Sequence, residues 1–190
     1  MTLLIAGLAI FIAAHVFVTM RGWRQSAIAT LGTGGYRTAF SVFALTGLVS
    51  IVFGYARYRA SGYIPVWEPP LWASHLAIPL VWIAFVFGSA FFTPPGRIRV
   101  ALQHPLLAGL AVWACAHLLT NGDLGSILLF GSALAWTLYS SFSLRWRERV
   151  DASAAVPSAA GDILALAIGT LLFACAFWLH PYLVGVPILL

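Results

Sequence analysis

The chemistry in this 190-residue chain rests on its five histidines: His15, His75, His104, His117 and His180. Imidazole carries protons near neutral pH and is a common axial ligand for haem iron. No CxxCH segment occurs, so covalent haem attachment is excluded and non-covalent haem b remains open. Each ring also has a plain structural role available to it, a neutral imidazole bonded to a carbonyl or to water. His117 stands among Leu, Ala, Trp and Cys and shares a helix face with Leu110 and Trp113. His15 lies between Ala14 and Val16, more than a turn inside an apolar run. Both are read as functional, because ionisable groups at membrane depth are expensive and seldom idle. His104 precedes Pro105 and serves equally well as a helix-start residue reaching water. His75 and His180 are read as structural.

Other polar groups do less. Glu68 is a lone acid in a Pro/Trp segment, with no second carboxylate to share acid–base work. No serine or cysteine sits in a nucleophile motif, and neither a P-loop nor a dinucleotide fingerprint is present. Asn121 and Asp123 are expected to make a turn and cap the helix that follows. Cys115 and Cys175 lie in apolar runs without metal-ligand spacing.

The elements that must position the histidines follow from composition. The chain is 62% hydrophobic and 8% charged, where a soluble domain carries roughly a quarter charged residues. The fold class expected is all-α, an integral membrane bundle of about six transmembrane helices forming one domain over residues 1–190. The apolar runs are Thr2–Met20, Thr38–Ala56, Leu71–Phe92, Val100–Thr120, Leu124–Phe142 and Asp162–Leu179. The links expected between them include a glycine-rich stretch from Gly32 to Arg37, Ser61–Pro70, Pro94-Pro95-Gly96, the Asn121-Gly122 turn and the arginine-rich loop from Arg145 to Gly161. His180-Pro181 is expected to end the last helix, leaving an apolar tail too short to span.

The net charge of +5 comes from ten arginines and no lysine. These arginines flank apolar runs, so they set topology, and nucleic acid is not an expected partner. Arg21, Arg24, Arg37, Arg97, Arg99, Arg145, Arg147 and Arg149 follow runs one, three and five, against only Arg57 and Arg59 on the other face. The positive-inside rule then puts both termini outside the cytoplasm. Depth constrains pairing. At about 1.5 Å per residue, His104 and His117 stand roughly 20 Å apart along one helix and cannot share an iron. Depth alone proposes His15 with His104, or His117 with His75.

Several pieces together resemble the NnrU family of bacterial membrane proteins. They are His15, Gly34-Gly35-Tyr36-Arg37, Trp67-Glu68-Pro69-Pro70, Pro95-Gly96-Arg97, His104-Pro105, and Ala116-His117-Leu118-Leu119 with Asn121-Gly122-Asp123. They cover about residues 1–145; beyond that only a further hydrophobic span, about 162–179, corresponds. The family takes its name from gene clusters for nitrite and nitric oxide reduction, and it is related to plant zeta-carotene isomerase, which uses haem b. The resemblance implies a bacterial inner-membrane protein linked to denitrification, with haem b held by His15 and His117 and with His104 matching a further histidine. The ligand implied is a diatomic molecule or an apolar polyene entering from membrane lipid. It equally admits an isomerase of a cis-polyene, or a non-catalytic assembly or regulatory factor.

Overall fold

The computed structural model describes residues 1–148 and 157–184. The helices among them are α1 (Thr2–Thr19), α2 (Arg21–Ala60), α3 (Leu71–Phe92), α4 (Arg97–Leu102), α5 (Pro105–Thr120), α6 (Leu124–Glu148) and α7 (Ala159–Val184). No strand is present among the described residues, only an isolated bridge between Pro65 and Asp123. Five helices are long and apolar enough to cross a membrane, namely α1, α2, α3, α6 and α7, and the 16-residue α5 is a shorter apolar one. The chain is thus a multi-pass, all-α membrane protein.

Several boundaries differ from the sequence expectation: α2 takes in residues 21–37, written as a link, and runs past Ala56 to Ala60; α6 continues past Phe142 to Glu148, taking in Arg145 and Arg147 that were expected in a loop; and α7 starts at Ala159 rather than Asp162. The glycine-rich link before Thr38 is helical, because Gly34 and Gly35 hold helical geometry and only Gly32 (φ 70°, ψ 165°) leaves it. A positive φ is open to glycine without steric penalty, so the break falls on that one residue. The fourth run, expected to be continuous from Val100, is cut in two by Gln103 (φ 63°, ψ −48°) and His104 (φ −121°, ψ 68°). Pro105 explains the cut, since its ring bars the preceding residue from helical geometry while its fixed φ suits the first position of α5. The last helix does not end at His180-Pro181 but continues to Val184. Pro181 removes one amide donor without breaking the path.

Contacts divide the chain into two compact units, residues 1–67 with 123–132, and residues 68–122 with 133–190. In the first, α1 runs antiparallel to the second part of α2. A Cβ on Gly47 would come 2.8 Å from the Phe11 nitrogen, and one on Gly54 would overlap the Leu4 backbone. Glycine at these positions lets the two backbones meet, the close packing that apolar helices use where the hydrophobic effect gives no drive. Leu4, Leu8 and Ile51 are buried in this seam, with Phe11, Tyr55, Leu128 and Leu129 packed around them. In the second unit α3 is central, with α5 on it at Gly109–Ala84 and α7 on it at Gly169–Val86. Asp162 of α7 accepts hydrogen bonds from the Arg97 and Ile98 amides (both 3.0 Å), satisfying two donors at the start of α4.

Candidate functional site

His15 and His117 occupy matching local settings. The His15 Nδ1–H donates to the Phe11 carbonyl (2.7 Å), and its ring lies 4.1 Å from the Phe11 ring, centroid to centroid. The His117 Nδ1–H donates to the Trp113 carbonyl (2.8 Å), with its ring 4.6 Å from Trp113. In both, an aromatic residue one helical turn earlier supplies the carbonyl and one wall of the imidazole. A carbonyl has two lone pairs, so it can take the imidazole proton beside its helical partner. This bond puts the proton of a neutral ring on Nδ1 and the lone pair on Nε2. Metal-ligating histidines are oriented in this way.

The surroundings differ. His15 belongs to the first unit, where Phe40 of α2 closes on it edge-on at 5.3 Å. His117 sits in the last turn of α5 in the second unit, within electrostatic reach of His180 on α7. The sequence reading took His180 as structural. Antiparallel packing of α7 on α3 is what carries it into the same unit as His117. His104 is half-buried in the break before α5, with its Nε2 buried and its carbonyl accepting from the Ala108 amide at 3.0 Å. It therefore stands at the opposite end of α5 from His117, and the two are not brought together. His75 is exposed in the first turns of α3. Among the described residues, no group of three or more His, Cys, Asp or Glu could hold a metal ion unaided.

The sequence also understated Asp123. It caps α6 as expected, its Oδ1 accepting from the Ser126 amide at 3.0 Å. Asn121 instead closes α5, its Nδ2 donating to the His117 carbonyl at 2.8 Å. Asp123 is only 4% exposed and anchors a polar network within the first unit. Its Oδ2 accepts from Ser126 Oγ (2.6 Å) and from the Arg59 guanidinium (3.4 Å), and Tyr55 Oη lies 2.8 Å from the same Ser126 Oγ. The Tyr58 hydroxyl bonds Asp123 and accepts from the Ile64 amide (2.9 Å), while the Leu124 amide donates to the Ile64 carbonyl (2.9 Å). Burial pushes the Asp123 carboxyl upward. The bonds from Ser126 and Tyr58 and the nearby Arg59 charge outweigh it and hold the carboxyl below its ordinary 3.8. The network ties the end of α2, the 61–67 link and the start of α6 into one piece. Only the charge pair Arg59/Asp123, far apart in sequence, could have signalled it.

Five membrane-length apolar helices and the shorter α5 define an all-α integral membrane protein, with His15 on α1 and His117 on α5 each bonded to a backbone carbonyl. The chain belongs to the NnrU family, whose model, described as NnrU protein, matches residues 3–188. The match reaches through α7, farther than the pieces noted above, and runs across both units. No curated protein and no solved structure matches the chain.

Proposed function

We propose that this protein binds haem b through an imidazole Nε2, with His117 and His15 the two rings oriented to give it, and that it serves nitrite or nitric oxide metabolism in a bacterial inner membrane. The observation that carries the proposal is the pair of Nδ1–H bonds to the Phe11 and Trp113 carbonyls. The donor chemistry fits the group. Each ring offers one neutral nitrogen from an apolar wall, and haem would bring its own further iron ligands, so one imidazole would be enough to hold it. Haem would supply an iron able to take a diatomic ligand or to act on a polyene. The protein's own part is to hold the imidazole by its Nδ1–H, to exclude water with aromatic and aliphatic side chains, and to admit apolar ligands from lipid. The arginine distribution supports an orientation with both termini outside the cytoplasm.

The test is a reduced-minus-oxidised spectrum of the purified protein beside His15→Ala, His117→Ala and His104→Ala. The expected result is a b-type spectrum in the native protein, weakened or lost in His117→Ala or His15→Ala and kept in His104→Ala. A colourless protein after expression with excess haem precursor would overturn haem binding and favour a non-catalytic assembly factor. Haem that shifts with nitric oxide but turns over no cis-polyene favours the nitric oxide role, and polyene turnover favours the isomerase.

A further inference from the structure

Residues 21–31 form a helical segment set off at both ends. Met20, at φ −84° and ψ 83°, separates it from α1, and Gly32 separates it from the remainder of α2. At about 100° per residue, Trp23, Ala27 and Leu31 fall on one stripe with Thr30 beside Trp23, while Arg21 and Gln25 take the other side together with Ile28. Arg24 borders the stripe beside Leu31. The apolar stripe is not folded away, for Trp23 is 72% exposed and Leu31 54% exposed. Arg21, Arg24 and Arg37 are exposed as well, and Arg24 arches over the Tyr36 ring at 5.9 Å, next to Arg37.

Within the described residues of this unit no free acid offsets this charge. Residues 1–67 contain no Asp or Glu, and the single carboxylate that residues 123–132 add to this unit, Asp123, pairs with Arg59 at 3.4 Å. A short helix with exposed tryptophan and leucine on one side and uncompensated arginines around it suits a bilayer surface. Its charge selects among headgroups, since guanidinium forms paired hydrogen bonds with phosphate and is attracted to net negative lipid.

We propose that residues 21–37 form a binding surface for anionic phospholipid. Trp23 and Leu31 enter the acyl boundary, and Arg21, Arg24 and Arg37 hold the headgroup phosphate. The surface would fix the base of the first unit to the anionic leaflet, independently of any cofactor.

The test uses the purified full chain reconstituted in phosphatidylcholine vesicles with an equal share of phosphatidylglycerol, one of the two lipids being acyl-chain brominated. The Trp23 signal is the native fluorescence minus that of Trp23→Phe, which isolates it from the other tryptophans. Brominated phosphatidylglycerol should quench this signal about threefold more than brominated phosphatidylcholine. About 0.5 M salt should shrink the preference by screening it. The triple variant Arg21→Gln, Arg24→Gln, Arg37→Gln should abolish it, while Arg57→Gln at the far end of α2 should leave it intact. Equal quenching by the two lipids in the native protein overturns the proposal without recourse to any variant. A preference that survives in the folded triple variant overturns it too.

Discussion

Replacing Asp123 by alanine tests the polar network where its parts are best defined. The substitution removes the acceptor for the Ser126 amide (3.0 Å), the Ser126 hydroxyl (2.6 Å), the Tyr58 hydroxyl and the Arg59 guanidinium (3.4 Å). Loss of a helix cap is worth about 1 kcal/mol. A hydrogen bond to a charged group adds about 1.5–3 kcal/mol. The Arg59 contact is long and its side chain is 32% exposed, so it adds at most about 1 kcal/mol. Ser126 Oγ keeps Tyr55 and Tyr58 keeps the Ile64 amide, so these terms do not all sum. The expected loss is about 3 kcal/mol for Asp123→Ala. At about 2–4 °C per kcal/mol this is a fall of about 6–12 °C in Tm, followed by helical circular dichroism in detergent. Asp123→Asn keeps an oxygen for the cap and loses the charge, so about half that fall is expected. The pH dependence has a fixed sign. The folded-state carboxyl lies below its ordinary 3.8, so its contribution is complete above that value and disappears as pH falls through the lower, folded-state pKa. The native protein should lose stability in that acid range relative to Asp123→Asn. A Tm for Asp123→Ala within about 1 °C of native at pH 7, or parallel acid profiles for native and Asn variants, would refute the reasoning.

Gly54→Val should be more damaging than the reverse exposure of valine to lipid would suggest. Its Cβ would overlap the Leu4 backbone, forcing α1 away from α2, at about 1–3 kcal/mol or more; Gly131→Val, where a Cβ meets nothing within 4 Å, should change Tm little by the same detergent melt. Orientation is checked by single cysteines in a Cys115→Ser, Cys175→Ser background. A cysteine at exposed Ser61 should react with a membrane-impermeant maleimide in intact cells, and one at exposed Thr33 only after lysis. The opposite pattern would invert the topology.

Membrane residence, the bounds of α1 and α3, the end of α5 and the start of α6 were legible in the sequence, because lipid demands long apolar helices with satisfied backbones. The Asn-Gly-Asp turn was legible for the same local reason. Short-range chemistry offered His104 as a helix-start residue, but the fourth run was drawn unbroken from Val100 and the cut before Pro105 was missed. Glycines written as a link proved to be helical, since helical bonds satisfy the backbone of residues 33–37 as a continuation of the apolar helix that follows, and only Gly32 departed. The types of the candidate ligands, His15 and His117, came from sequence alone. What only the tertiary structure decided was the setting of each residue. The backbone bonds that orient the imidazoles depend on rotamers, and the placing of His180 in the same unit as His117 depends on α5 and α7 sharing α3. Arg59 finds Asp123 because the 61–67 link folds back on the start of α6, a pairing across 64 positions that no local pattern encodes.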